Sequence, residues 1–443
     1  MNTITEIRDP NITPPLGQAV PLGFQHVLAM FASNVTPSII VAGAAGLAFG
    51  GEEQVYLIQM AMLFAGIATL FQTVGFGPVG ARLPIMQGTS FAFVSVLTAI
   101  AATQGLGVAL TACLIGGLLH FGLGTIIGRL RFLFPPLVSG LVILTIGLYP
   151  IPVAIKYSAG GAAQFQMEAE SFGSLKHWSV ALTVIIVAIG FKFWAKGILS
   201  AAAILIGLIA GYLLALVMGM VSFTAVSNAA WITGLQVLPY GFAFDIGAVI
   251  AVFLICVVSA IETVGDTSAT TKAGAGRDAS DEEVAGATYA DGLGTAVAAV
   301  FGGLPNTSFS QNVGIIGMTG IMSRHVVTIG GLVLIVCGLV PKVGAVIASM
   351  PLPVLGGGVV VMFGMVVAAG MNMLTEVEMN RRNMLIIAVS LSVGLGLNLV
   401  PTAVQYLPGV VKTMAISGLL PTALIAIVLN QVLPEELTEE VAV

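Results

Sequence analysis

Few side chains in this 443-residue chain can hold a charge or pass a proton, and those few stand inside apolar stretches. Glu262 and Asp266 lie in Ser-Ala-Ile-Glu-Thr-Val-Gly-Asp, at the inner end of a long apolar run. Four residues apart, they share one helical face. Carboxylates so placed repel, which favours a proton on one of them. One can then hydrogen-bond a ligand while the other handles a proton; the plainer alternative is a helix-end acid facing water. Asp291 stands in Tyr-Ala-Asp-Gly-Leu-Gly, among small residues that permit close helix contact. It either titrates or hydrogen-bonds a neighbouring helix. His26 follows Gln25, and a charged histidine at membrane depth is costly. It is expected neutral and hydrogen-bonded, bracing a site rather than relaying a proton. His120, His177 and His325 read as peripheral. Cys113, Cys256 and Cys337 read as small core hydrophobes. With no cluster at ligand spacing, no metal site is expected, nor a nucleophile–base pair that would make an enzyme.

The elements that must position these groups are membrane helices. Hydrophobic residues make up 57% of the chain and charged residues 8%, whereas a soluble domain carries roughly 25% charged residues. The mean hydropathy is +1.06. Apolar stretches near the roughly 20-residue bilayer ruler, without strict alternation, indicate helices rather than a barrel. The net charge of −5 and the acidic end (Glu435, Glu436, Glu439, Glu440) point to no nucleic-acid partner. About fourteen segments follow from that ruler: 19–46, 54–75, 82–103, 106–128, 132–152, 178–195, 197–220, 245–268, 282–302, 305–322, 325–346, 352–374, 382–400 and 414–433. With the N-terminus in the cytoplasm, Arg129, Arg131, Lys192, Lys196, Lys272, Arg277, Arg324, Arg381 and Arg382 fall on inner loops, as the positive-inside rule asks. Both termini are then cytoplasmic. The polar start, residues 1–18, is no secretory signal. The segment Ser222 to Phe244, free of Lys and Arg, falls outside, and Thr271 to Glu283 reads as a charged cytoplasmic loop.

Segments three and ten are interrupted. Leu83-Pro84 precedes Thr89-Ser90-Phe91, and about half the chain later Leu304-Pro305 precedes Thr307-Ser308-Phe309. Seven helices per half would invert the second half relative to the first, a plan of secondary transporters with broken helices at matching positions. The expected fold is all-α and polytopic, with 7+7 inverted repeats and two short strand-plus-half-helix segments. Residues 1–18 form a tail, 19–220 the first repeat, 221–433 the second and 434–443 an acidic tail. Two half-helix N-termini at mid-bilayer would offer free N–H groups, one beginning at Phe91 and the other at Ser310-Gln311-Asn312. With a carboxamide and a carboxylate beside them, they suit a planar heterocycle of alternating N–H and C=O groups. A small oxyanion would be repelled by Glu262.

The stretch Gln311-Asn312-Val313-Gly314-Ile315-Ile316-Gly317-Met318-Thr319-Gly320 resembles the signature of the nucleobase–ascorbate transporters, the second type of nucleobase:cation symporter. Gln25-His26, Gln87-Gly88-Thr89-Ser90-Phe91, Glu262 with Asp266, and Ala290-Asp291-Gly292 extend the resemblance over nearly the whole chain. It implies a core of segments 1–4 and 8–11 moving, elevator-like, against a gate of segments 5–7 and 12–14 in a homodimer of the inner membrane. It implies that Glu262 and Gln311 hold a base by hydrogen bonds. The backbone at Phe91 and Ser310 would hold its carbonyls, and the Phe91 ring would stack on it. Ser90, Asn312, Thr319 and His26 would shape the site, with Gln87, Thr89, Gly314 and Gly320 as motif support. Asp266 and Asp291 would couple it to the cation. Gln311 resembles the purine branch, which takes xanthine and uric acid, and Ser90 leaves room for a larger purine. Val313 replaces a second Asn common in xanthine carriers, which leaves the purine open. No cofactor is expected beyond a proton as coupling ion, with sodium disfavoured. A uracil carrier, or an anion (sulfate-type) carrier of the same architecture, is the alternative.

Overall fold

The computed structural model describes residues 8–434 except 134, 162, 163, 166 and 233. Residues 1–7 and the acidic Glu435, Glu436, Glu439 and Glu440 lie outside the described residues. Helices α1 (Leu16–Ala44) and α2 (Glu52–Thr73) lead into strand β1 (Gln87–Thr89). A short 3-10 turn over Phe91–Phe93 then continues as α3 (Val94–Gln104), followed by α4 (Leu106–Leu123). Next come α5 (Pro136–Leu148), α6 (Ile151–Ser158), α7 (Leu175–Trp194) and α8 (Ala203–Val217). The chain continues through α9 (Ile246–Ala275), α10 (Asp281–Val300), strand β2 (Asn306–Ser308) and α11 (Ser310–Thr319). It closes with α12 (Arg324–Leu339), α13 (Pro341–Ala348), α14 (Leu352–Leu374), α15 (Arg381–Leu399), α16 (Gly409–Ile416) and α17 (Leu419–Val432). Among the described residues, eight spans are long and apolar enough to cross a membrane, or nine if α12 and α13, bent by 81°, count as one.

Several boundaries differ from the sequence reading, each for a local reason. Segment eleven breaks at Pro341, which lacks the N–H that would continue α12. Segment five breaks at Pro150 into α5 and α6. The eighth helix runs on to Ala275, so Thr271 to Ala275 is helix and the charged connection is shorter. That helix stops at Gly276, whose left-handed φ of 68° suits glycine. Its successor starts on a capping box, with Ser280 accepting from the Glu283 N–H and the Glu283 carboxylate accepting from the Ser280 N–H. Asp266 is therefore inside a helix and 6% exposed, not a helix-end acid in water. His120 is fully buried rather than peripheral. Cys113 and Cys256 are buried, and Cys337 is partly so.

The closest packing falls into two groups of helices. In one, α4 lies on α10 and α9, and α12 lies on α2 and α1; in the other, α14 lies on α5, α6, α7 and α8, and α17 on α15 and α5. Small residues set these distances. A Cβ placed on Gly292 of α10 would stand 2.2 Å from the Phe121 nitrogen, and one on Gly338 of α12 would stand 2.4 Å from the Leu63 nitrogen. Backbones can approach that closely in a membrane only where side chains are absent.

The two strands meet at the centre of the first group. They pair antiparallel, Gln87 with Ser308, Gly88 with Thr307 and Thr89 with Asn306. The Ser90 N–H donates to the Pro305 carbonyl (2.8 Å) and the Phe309 N–H to the Met86 carbonyl (3.0 Å). The Gln87 N–H donates to Thr69 Oγ1 (3.0 Å) and the Asn306 N–H to Thr295 Oγ1 (3.1 Å). These bonds form a local two-fold that maps Gln87 onto Asn306, Ser90 onto Phe309 and Phe91 onto Ser310. The repeated Thr-Ser-Phe triplet is thus one residue out of step with the structural equivalence. Hydrogen bonding, not residue identity, sets strand register here, since an unpaired backbone group at this depth costs several kcal/mol.

Candidate functional site

The two half-helices α3 and α11 leave the strand pair in opposite directions, and their first turns open on a cavity of about 140 Å³. Thr89, Ser90, Phe91 and Thr307 to Gln311 line one side of it, with Glu262 from α9. Ile143 and Ile146 of α5 and Met365, Val366 and Ala369 of α14 line the other. The site therefore lies where the two helix groups face each other. First-turn N–H groups have no partner within their own helix, so the starts at Phe91 and Ser310 are donor-rich. No Lys or Arg is among the lining residues.

Glu262 is half-buried, and its Oε2 is buried without a hydrogen-bond partner. Ser90 Oγ and Thr89 Oγ1 are buried and unpaired as well. Unmet polar groups gathered on one cavity are unusual, because each buried group left unpaired costs roughly 1–3 kcal/mol. They are the side chains a hydrogen-bonding ligand would satisfy. The Phe91 ring is 9% exposed and meets Phe363 of α14 edge-on, with centroids 4.8 Å apart.

The two aspartates stand behind this layer. Asp266 accepts from Ser308 Oγ and Ser310 Oγ, both at 2.7 Å, and so ties the end of β2 and the start of α11 to α9. Asp291 on α10 accepts from Gln87 Nε2 (2.6 Å), from Gln72 Nε2 (3.1 Å) and from the Thr263 hydroxyl. It therefore joins β1, α2 and α9. His26 and Asn312 are not in the lining. Asn312 Nδ2 donates to the His26 carbonyl (3.0 Å) and lies 2.9 Å from His26 Nδ1, which fastens α11 to α1. Thr319 and Gly320 end α11: Thr319 Oγ1 donates to the Ile315 carbonyl, and Gly320 takes the left-handed φ of 68° that stops the helix. Gly314 lies outside this cavity, on a neighbouring one.

Some contributors were not singled out from the sequence. Asn34 of α1 accepts from the Thr89 N–H (2.8 Å) and donates to the Ala61 carbonyl (3.1 Å), holding β1 in place. Gln72 also donates to the Ala287 carbonyl and accepts from the Ala81 N–H. Both are fully buried amides in apolar helices, which is the signal that could have found them. Ile143, Ile146 and Val366 carry no such signal, because any membrane helix has their like. A larger cavity, about 720 Å³, lies elsewhere, at the end of the bundle where α1 and α8 finish; it includes neither Glu262 nor Gln311.

Comparison with known proteins agrees with this architecture. A family model described as a permease family (Xan_ur_permease) matches residues 17–403. The chain is 36% identical to the xanthine permease XanQ of Escherichia coli K12 over 434 residues, covering 95% of this chain and 92% of that protein. It is 35% identical to the xanthine permease XanP of the same organism over 446 residues, covering 96% and 93%. Among solved structures, the transmembrane domain of the cyanobacterial bicarbonate transporter BicA matches with a TM-score of 0.62 at 16% identity, covering 95% of this chain and 98% of that one. The murine anion transporter Slc26a9, inward-facing, matches with a TM-score of 0.62 at 13% identity, covering 94% and 69%. At that identity the likeness is one of fold.

Proposed function

The chain belongs to the nucleobase–ascorbate transporter family of permeases and is a multi-pass membrane protein, and from that premise we propose that it takes up a purine base, xanthine or uric acid, by proton symport. The observation that carries this reading is one cavity lined by a carboxyl group, a carboxamide and two half-helix starts. A xanthine-like base presents adjacent N–H and C=O groups on its edge. The Gln311 carboxamide both donates and accepts, and Glu262 accepts from a ring N–H or, when protonated, donates to a ring nitrogen or carbonyl. The N–H groups at Phe91 and Ser310 take carbonyl oxygens, and the Phe91 ring covers a face of the bicycle. Ser90 gives the space and a hydroxyl. The cavity matches the roughly 150 Å³ that holds a benzene ring, so a bicyclic base needs the wall to yield. Met365, unbranched and adaptable, is placed to do so.

The proton route we propose runs through the acids. Asp266 and Asp291 each hold one half of the strand pair by hydrogen bonds from neutral donors. Protonation of either changes what those donors can bond, and so changes the site together with the charge of the loaded carrier. The same reading gives a core carrying the strands, Glu262 and both aspartates, and a gate carrying α5 and α14. The core slides as an elevator within a homodimer, in an inner membrane with both termini cytoplasmic. Support comes from the cavity's place between the two helix groups and from the local two-fold of β1 and β2, which suits inverted 7+7 repeats. The two solved structures compared above are named as bicarbonate and anion transporters, but at 13–16% identity, whereas the 35–36% relatives are named for xanthine.

Uptake of labelled xanthine, urate, uracil and sulfate into proteoliposomes, with and without an imposed pH gradient, tests this. Xanthine or urate is expected to accumulate only with the gradient acid outside. Accumulation of sulfate alone would remove the purine reading; purine accumulation indifferent to pH but driven by sodium would remove the proton.

A further inference from the structure

A second cavity, about 290 Å³, adjoins the first and shares Gln311 and Met365 with it. Part of its lining lies where α7 finishes and α8 starts. Its walls come from both helix groups, including Gly314 and Met318 of α11, Met362 and Met365 of α14, and Lys192 and Ser200. Resting on the purine reading above, we propose that this chamber is a second subsite for a planar oxopurine, in its anionic form above all, on the path between the Glu262 cavity and the cytoplasm.

Three independent features point to that occupant. Lys192 is the only charged residue in the lining, and no carboxylate among the described residues pairs with it. The first cavity carries a carboxyl group and no cation; the second carries a cation and no carboxyl group. A base that gives its ring N–H proton to the Glu262 carboxylate leaves as an anion, and gains a favourable partner in the Lys192 ammonium. Secondly, the thioethers of Met318, Met362 and Met365 give a wall that adapts to the face of an aromatic ring. Thirdly, Gly314 stands inside a helix, where glycine is disfavoured. A Cβ there would meet nothing within 4 Å, and Gly314 is not among the glycines with positive φ. Neither close packing nor backbone conformation asks for glycine at 314; what its missing side chain leaves is room in the chamber.

The test uses thiol labelling with xanthine as the probe. Met318→Cys and Ala201→Cys, on opposite walls, are made separately in the full chain and treated with an impermeant maleimide in inside-out membranes. Labelling above that of the parent is expected, and saturating xanthine is expected to slow it several-fold while sulfate does not. Equal labelling with and without xanthine at both positions, in membranes that transport xanthine, would overturn the subsite. Xanthine transport by the parent is measured in the same membranes; its absence there would instead overturn the purine reading and the occupant named here. Lys192→Gln is expected to raise the KM for xanthine efflux roughly two- to fivefold, the worth of one solvent-reached charge contact. Lys192→Arg should restore it, and an unchanged KM in Lys192→Gln would remove the ammonium from the subsite.

Discussion

At the scale of the residue, Glu262, Asp266 and Asp291 are all acids within apolar stretches, and their partners divide them. Glu262 faces a cavity with one oxygen unmet, while both aspartates are saturated by neutral donors. Glu262→Gln keeps the volume and changes what the site can accept and release. It should abolish purine accumulation while the protein stays in the membrane, and unchanged uptake would take Glu262 out of the site. Asp291 calls for a paired test. An asparagine can turn its oxygen to Gln72 and Gln87 and its NH₂ to the Thr263 hydroxyl, so Asp291→Asn should fold. It loses the exchangeable proton, so xanthine exchange across liposomes is expected to persist while gradient-driven accumulation fails. Asp291→Ala instead removes the shared acceptor of three buried donors, and each one that finds no other partner costs roughly 1–3 kcal/mol. Its melting temperature in detergent should fall well below that of Asp291→Asn; equal values would mean that the network does not hold the site together.

At the scale of the element, the device is a pair of three-residue strands that start two helices head to head. The sequence announces it through Pro84, Pro305 and the polar Gln87-Gly88-Thr89 and Asn306-Thr307-Ser308 triplets inside apolar stretches. Its register was not legible, because the repeated Thr-Ser-Phe lies one residue away from the equivalence that the hydrogen bonds define. The acids were legible as types, but what each one holds was not, since Asn34, Gln72, Ser308 and Ser310 reach them or the strands from elements distant in the sequence. Gly88 shows how tightly the strand pair is enclosed. A Cβ there would stand 2.5 Å from the Phe309 ring, 2.6 Å from the Met30 methyl and 2.9 Å from Asn34 Oδ1. Gly88→Ala must therefore displace Phe309, which begins the turn into α11, or break the Asn34 bond to the Thr89 N–H. Overpacking of this kind costs about 1–3 kcal/mol. The expected result is a membrane-inserted protein whose xanthine affinity drops tenfold or so, the equivalent of about 1.4 kcal/mol. Unchanged affinity would mean that the spacing of the half-helices does not set recognition.

At the scale of the molecule, the cavity lies where the two helix groups face each other, along a buried apolar core to which both contribute. Phe91 against Phe363 and the Tyr212 hydroxyl against Ser349 are among the contacts where helices of the two groups meet, while each group packs densely within itself. A base seated between Glu262 and Gln311 on one side and Ile143, Ile146 and Met365 on the other adds its faces to both. Ligand that binds only the assembled state stabilises it by about 2.7 kcal/mol at a hundred times its Kd. Because the gain comes from bridging, xanthine should raise the melting temperature by a few degrees. Sulfate and bicarbonate at the same concentration should not, since Glu262 offers an anion no counter-charge and no Lys or Arg lines the cavity. The shift should vanish in Glu262→Gln. It should survive in Asp291→Asn, because that asparagine keeps the strand pair bonded and alters only the proton. A shift lost equally in both variants would show that binding and coupling are not divided between the cavity and the aspartates behind it.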